Sequence, residues 1–323
     1  MNHEDSDHDF SRANLHIDLD LTYQNEEATK TTMSLPPETT PVPRSVLLPG
    51  MSHRSEGPAP TSEPTASPLP VQPGDASPES TEATTSSSSK KEFDLPVLRL
   101  HINDISHPGA SIFLSAINAS AVFRTSVRNV QRLLYTSPAT PHTHCPATRS
   151  VTLILRDMEG VAYTTGSDLD EDHKEIHFSL KYIAGLPAAR HTAEITGVIT
   201  HELVHCYQWN ARGGAPSGLV EGVADWVRLH CDLAPPHWKR EAGDKWDGGY
   251  QRTAYFLEYL EGRFGEGTVQ RLNEKLRTGR YEQKAFWTQL VGRPVEQLFE
   301  DYKEELKREG EGKDGKRPPT KTI

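Results

Sequence analysis

The stretch VITHELVHCYQ, residues 198–208, places two histidines, His201 and His205, four residues apart. We predict a helix here, which Thr192 could cap, and at 3.6 residues per turn both imidazoles project from one face, one turn apart. They could therefore bind the same metal ion. Glu202 follows the first histidine and lies about 100° away around the helix, so its carboxylate would stand beside the metal rather than on it.

A second helix follows the break NARGGAPSG and supplies further candidate ligands. The stretch LVEGVADWVRL, residues 219–229, carries Glu221 and Asp225 on one face, four residues apart. Glu221 could complete a zinc site of two histidines and one glutamate, with a fourth position open to water. Asp225 could accept a hydrogen bond from the free ring nitrogen of a liganding histidine. The alternative, a solvated helix face, fits poorly because the neighbouring residues are apolar on nearly every side.

The residues before the histidine helix predict a small sheet. VLRLHI (97–102) and EIHFSLKYI (175–183) alternate apolar and polar residues, and VTLIL (151–155) is a short apolar run, so each is predicted to be a strand. Between the strands 97–102 and 151–155, apolar residues recur every three or four positions from Ile112 to Leu134, which indicates one long helix. After residue 183 the pattern is helical. The predicted fold class is α+β, with a small mixed sheet formed early and helices formed late.

The composition divides the chain into three parts. Residues 1–92 are rich in Ser, Thr, Pro and Glu and contain few aromatic residues, which predicts a disordered arm. Residues 93–307 are long enough to bury one substantial core. Residues 308–323, with GEGKDGKRPPTKTI at their end, are predicted to be a disordered charged tail.

Charge and cysteine content indicate the class of protein. The net charge of −10, without a basic stripe, argues against binding to nucleic acid or to an anionic membrane. The acidic start MNHEDSDHDF does not resemble a secretory signal, and no 18 apolar residues run together. The three cysteines, Cys145, Cys206 and Cys231, fit free thiols. We expect a cytoplasmic monomer that acts on a peptide or protein, with secretion by a leaderless route as the alternative.

The motifs resemble those of one known family. The run from His201 to Trp238, followed by KWDGGYQRTAYFLEYL at 245–260, is similar to the plant basic secretory protein family, also called the peptidases of plants and bacteria. The resemblance rests on the His-Glu-x-x-His pattern, HxxQWN, GLxEGxADxVR and WDxGYxxTAxFLxY in order, and extends more loosely over 93–307. It implies a zincin-type fold, in which a mixed sheet lies over the active-site helix, and a zinc-dependent peptidase activity.

The resemblance also bears on the ligand set. Glu221 and Asp225 match the ExxxD helix of the thermolysin-like gluzincins, in which the glutamate joins the two histidines on the metal. The metzincin extension is not matched, since Gln208 stands three residues after His205. The chain departs from the name of the family, because it is acidic and its start does not resemble a leader.

The implied mechanism assigns roles to the residues of this site. Zinc would lower the pKa of a water molecule to about 7, and Glu202 would accept its proton and pass it to the leaving amine. The tetrahedral oxyanion needs a second electrophile. Tyr250, in the WDGGY turn, is the first candidate, and His230 or His237 the second. The alternative role for Tyr250 is packing under the helix predicted at 248–262.

A peptide substrate must be held extended, and one predicted strand could hold it. The strand 175–183 precedes the zinc helix as the substrate-aligning edge strand does in zincins. Strand addition would supply hydrogen bonds from its main chain. The residues predicted to bind substrate in this way are Ile176, His177, Phe178 and Ser179.

Three functions are compatible with these features. The first is a zinc peptidase, favoured because Glu202 and the third ligand are both present. The second is a zinc-binding pseudo-peptidase without turnover. The third is an interaction protein that recruits partners through its Pro-rich arm, which contains PPETTPVP at 36–43.

Overall fold

A computed structural model describes residues 92–167 and 169–314, with side chains described as far as residue 310. These residues form a four-stranded sheet followed mainly by helices, which confirms the predicted α+β class. The predicted disordered arm lies outside the described residues, except for Glu92.

The sheet contains one strand more than the sequence predicted. Its strands are β1 Val97–Ile102, β2 Ser150–Arg156, β3 Ala162–Gly166 and β4 His173–Ser179. They lie in the order β1-β2-β4-β3, with β1, β2 and β4 parallel and β3 antiparallel to β4. Strand β3 was not predicted. It forms one edge of the sheet, so β4, which was predicted to be an edge strand, is internal and pairs on both sides.

Strand β4 is also shorter than predicted, because a helix begins within the stretch 175–183. The Ser179 hydroxyl accepts a hydrogen bond from the backbone N–H of Tyr182 at 3.1 Å, which caps helix α3, Leu180–Gly185. Leu180 and Ile183 are buried from that helix. In sequence, Leu180 continues the alternation of Ile176 and Phe178, so the strand pattern conceals the start of the helix.

The long helix predicted between β1 and β2 is two helices, α1 Pro108–Ala116 and α2 Ala119–Tyr135. The Asn118 side chain accepts a hydrogen bond from the N–H of Ala121 at 3.0 Å and so caps α2. The apolar stripe is therefore divided between two helices that point in different directions. In the part of the chain that the structure describes, no single helix is long and apolar enough to cross a membrane. Together α1 and α2 meet the criterion by length and composition alone, with a bend of 69° between them.

Helix α4, His191–His205, contains the predicted metal-binding stretch, and α5, Ser217–Leu229, contains the predicted carboxylates. Thr192 does not cap α4: the helix begins after Arg190, and the Thr192 hydroxyl donates to the carbonyl of Ala116 at 2.9 Å. Helix α4 contacts α2 and β3 as well as α5. It therefore lies in the interior, between the sheet and the later helices.

Four further helices follow, and they are α6 Tyr250–Phe264, α7 Thr268–Thr278, α8 Gln283–Val291 and α9 Val295–Asp314. Aromatic side chains fill the space between them, with Phe256, Trp287 and Tyr302 completely buried. Helix α9 continues to Asp314, and so includes the first residues of the segment 308–323 that was predicted to be a disordered tail. Residues 315–323 lie outside the described residues.

Candidate metal centre

Three side chains from α4 and α5 meet in the interior of the protein. The Nε2 atoms of His201 and His205 are 3.2 Å apart, as the one-turn spacing predicts. Glu221 Oε2 lies 3.1 Å from His201 Nε2, and Glu221 Oε1 lies 3.8 Å from His205 Nε2. One ligand atom from each residue falls within 4.8 Å of the others, so the group could hold a metal ion.

The spacing of these atoms fits the donor set of a small tetrahedral cation. Two nitrogen ligands at about 2.0–2.1 Å from zinc, separated by a tetrahedral angle, lie about 3.3 Å apart. The separation of 3.2 Å between the two imidazole nitrogens and that of 3.1 Å between His201 and Glu221 agree with this value, whereas that of 3.8 Å between His205 and Glu221 is longer. Two imidazoles and one carboxylate are also donors that such an ion prefers.

The outer nitrogen of each imidazole is held by a polar side chain. His201 Nδ1 lies 2.7 Å from Asp225 Oδ1, the contact predicted for this carboxylate. His205 Nδ1 lies 2.6 Å from Nε2 of the Gln208 side-chain amide, whose N–H donates to it. Both rings are therefore oriented with Nε2 towards Glu221. Sequence analysis had not assigned this role to Gln208, although its position three residues after His205 is a signal.

Burial and charge shift the pKa values of the group in different directions. Burial opposes the charged form of His201, but the carboxylates of Asp225 and Glu221 outweigh it and raise the pKa to about 10. Burial lowers the pKa of His205 to about 4, and the nearby His201 adds to this against the attraction of Glu221. Burial raises the pKa of Glu221, but His205 and His201 offset this and leave it below its usual value. The two carboxylates therefore favour a proton on His201 over one on His205.

Glu202 points away from the three candidate ligands, towards the edge strand β3. Its side chain is fully buried, and its Oε2 accepts a hydrogen bond from the Thr164 hydroxyl at 2.6 Å. Within the described part of the chain, its Oε1 has no hydrogen-bond partner. Burial raises the pKa of Glu202 to about 7, although His201 and Thr164 oppose the rise. Thr164 was not identified from the sequence, because β3 itself was not recognised.

Tyr250, the first residue of α6, lies next to the histidines. Its ring centroid is 6.3 Å from that of His201, and the two rings are within 20° of parallel. Its φ of +46° is in the left-handed region, which a bulky side chain adopts at a steric cost. The second candidates are placed elsewhere: His230, at the end of α5, contacts Glu258 at 2.6 Å, and no described contact joins His237 to the group.

The four residues predicted to bind substrate do not form an edge. Ile176 and Phe178 are completely buried in the core, and Ser179 caps α3. His177 stacks on Tyr163 of β3, with ring centroids 4.6 Å apart. Ile176 pairs with Thr164 and shares its face of the sheet, so His177 lies on the opposite face. The strand that is both at the edge and next to Glu202 is β3, which corrects the prediction.

Comparison with protein families identifies the chain. Residues 95–302 match the family model described as BSP, peptidase of plants and bacteria. The chain belongs to this family. No curated protein and no solved structure matches it. The match covers the four described strands, α1 to α8 and the first residues of α9 of this BSP-family protein, and it confirms the family that the motifs at 201–260 predicted.

A buried arginine joins the two helices of the BSP-family protein behind the histidines. The Arg228 guanidinium, on α5, bonds to Glu194 of α4 through Nη2 at 2.8 Å and to the carbonyl of Leu233 through Nε at 3.0 Å. It lies against Gly197, where a Cβ would fall 2.6 Å from its Nε. The close approach at this glycine is therefore made by an arginine side chain, which the sequence analysis had not singled out.

The helix with the carboxylates also packs closely on α6. A Cβ built on Gly222, next to Glu221, would lie 2.5 Å from the Cβ of Thr253, which is completely buried. We expect Gly222→Ala to destabilise this BSP-family protein by about 1–3 kcal/mol, because the helices must separate, even though alanine favours a helix. Thermal or urea unfolding measures the change.

Gly262→Ala is the matched control for this substitution. Gly262 also lies inside a helix, α6, but a Cβ there would meet nothing within 4 Å. Alanine should leave the stability unchanged or raise it by about 0.5–1 kcal/mol. Equal effects of the two substitutions would show that the approach of α5 to α6 is not tight.

Proposed function

We propose that this protein is a zinc-dependent peptidase, in which His201, His205 and Glu221 bind the metal. The observation that supports this best is the meeting of the three ligand atoms within 4.8 Å, with Glu202 on the same helix directed to the side. Membership of a family of peptidases supports the reaction class. A peptide or protein would be the substrate.

The residues around the ligands would carry the hydrolysis of a peptide bond. When bound, zinc supplies Lewis acidity, which polarises a carbonyl and lowers the pKa of a water molecule to about 7. Glu202 accepts one proton from the attacking water as the new C–O bond forms. It returns a proton to the amine nitrogen as the C–N bond breaks.

Thr164 prepares Glu202 for this role by occupying one of its oxygens. With Oε2 bonded to the Thr164 hydroxyl, the proton would be taken at Oε1, which is buried and accepts no hydrogen bond from the described residues. Asp225 accepts from Nδ1 of His201, so that its Nε2 would be available for the metal, and Gln208 holds the ring of His205 in place through Nδ1. Tyr250, beside His201, would donate its hydroxyl hydrogen bond to the oxyanion.

Metal analysis and a peptide digest together test the proposal. Purified protein should contain about one zinc per chain, and Glu221→Ala should lose it, since a site with only two protein ligands rarely retains zinc. Glu300→Ala, at an exposed glutamate of α9, is the control and should keep the metal. Zinc content is measured by plasma mass spectrometry.

The outcomes separate the three functions considered. Zinc-loaded protein that cleaves members of a broad peptide library supports the peptidase. Zinc-loaded protein that cleaves none would indicate a pseudo-peptidase. Protein without any bound metal, after preparation in its presence, would favour an interaction protein. Full zinc occupancy in Glu221→Ala would show that Glu221 is not a ligand of the metal.

A further inference from the structure

The sheet edge farthest from the candidate metal centre exposes apolar side chains. Strand β1 forms this edge, and among the described strands only β2 pairs with it. Val97 is 56 % exposed and Leu100 is 39 % exposed, whereas Leu153, the β2 partner of Leu100, is completely buried. An apolar edge strand offers free hydrogen-bonding groups to another strand, and natural proteins usually cover or charge such an edge.

A groove runs along this edge, and both apolar and polar residues line it. It has a volume of about 360 Å³ and lies between β1 with the residues before it and the start of α2. Its lining includes Leu98 and Leu100 of β1, and Phe123 and Arg124 of α2. Phe123 is buried, so the groove adjoins the core. A strand placed along β1 would insert every second side chain into this groove.

The sequence before β1 contains one stretch with a matching pattern. Residues 15–23 read LHIDLDLTY, in which five apolar residues alternate strictly with His16, Asp18, Asp20 and Thr22. All prolines before Glu92 lie between residues 36 and 78, so this stretch contains none. Such alternation is typical of a strand with one buried face, although composition predicts disorder for the arm as a whole.

We propose that residues 15–23 of this chain bind along the outer side of β1 as a fifth strand. Their leucines and Ile17 would face the groove, on the same side as Leu98 and Leu100. The main chain would supply the hydrogen bonds of strand addition. More than 70 residues separate Tyr23 from Val97, a length sufficient to reach either end of β1.

Charge complementarity favours residues 15–23 over an apolar segment that lacks acidic residues. Arg99 and His101 alternate with the apolar residues of β1 and are exposed on the other face of the sheet. In the added strand, Asp18 and Asp20 would lie on that same face. Opposite charges on neighbouring strands attract. Arg124, which lines the groove, adds to the positive charge of this edge.

Hydrogen–deuterium exchange on the full chain tests the proposal. The wild-type amides of residues 15–23 and of β1 should exchange at least about tenfold more slowly than in an Ile17→Asp, Leu19→Asp double variant. The control is a Leu47→Asp, Leu48→Asp double variant, which changes the charge of the same arm equally. It should retain the wild-type protection in both segments.

A charge exchange provides a second measurement that does not depend on apolar contacts. Arg99→Asp should weaken the protection of residues 15–23, and adding Asp18→Arg and Asp20→Arg should restore it. Wild-type residues 15–23 that exchange as fast as in the Ile17→Asp, Leu19→Asp variant would overturn the proposal. Protection that rises with protein concentration would overturn it too, because the strand would then come from a second copy of the chain.

Discussion

Glu202→Gln should retain the fold and the bound zinc and lose most of the peptidase rate. No described hydrogen bond joins the Glu202 carboxylate to the three candidate ligands, and its Oε2 is bonded to Thr164. Glutamine has the same shape but cannot accept a proton. General base catalysis contributes about 100 to 10,000-fold, and we expect a loss near the upper end. Single-turnover cleavage of a reporter peptide and zinc content measure the two properties separately.

Asp225→Asn is the comparison for this variant. It changes the carboxylate 2.7 Å from His201 Nδ1 to an amide, so the orientation of a ligand is altered rather than the proton acceptor. Metal affinity or activity should fall by about 10 to 100-fold. A Glu202→Gln protein that binds zinc and cleaves peptides near the wild-type rate would falsify the role of Glu202 and leave the metal site standing.

Arg228→Met should destabilise the protein by about 3–5 kcal/mol at neutral pH, because it leaves a buried carboxylate without its main partner. The Arg228 side chain is 4 % exposed and that of Glu194 is 11 % exposed. Arg190 also bonds to Glu194, at 3.2 Å, but from a more exposed position. Urea unfolding measures the difference. Arg308→Met, at an arginine whose side chain is 73 % exposed, should change stability by at most about 0.5 kcal/mol.

The effect of Arg228→Met should depend on pH in a defined direction. Burial raises the pKa of Glu194, but Arg228 and Arg190 outweigh it and hold the pKa below its usual 4.5. A carboxylate with a depressed pKa stabilises the fold above the pKa of the unfolded chain, and this contribution is lost as pH falls through the folded value. The difference between wild type and variant should therefore be full at neutral pH and shrink below about pH 4.5. A constant difference would mean that Arg228 acts by packing alone.

The candidate ligands could be predicted from sequence because helical geometry is local. The four-residue spacing of His201 and His205 places them one turn apart on the same face of a helix, and the spacing of Glu221 and Asp225 does the same for that pair. That the two helices meet followed from their apolar surroundings and from the family resemblance. These four residues lie together in the structure as expected.

Features that depend on long-range packing could not be predicted in the same way. The order of strands in a sheet is set by which faces and edges pack together, so neither the edge position of β3 nor the contact from Thr164 to Glu202 has a local signal. The bond between Arg228 and Glu194 joins residues 34 positions apart. Helix starts at Asn118 and Ser179 did have local signals, namely side chains that cap helices, but continuous apolar patterns obscured them.

The close contact of Gly222 with Thr253 positions residues of the site independently of the segment that connects α5 to α6. The Thr253 hydroxyl accepts from the N–H of Gly249 and donates to the carbonyl of Trp246, so it also fixes the turn just before Tyr250. Tyr250 and Glu221 are thus positioned by one shared helix contact, whatever path the chain takes from 230 to 245. Residues 243–245 are exposed, and a short insertion there should leave both the ligand helix and the tyrosine in place, so this loop is open to redesign.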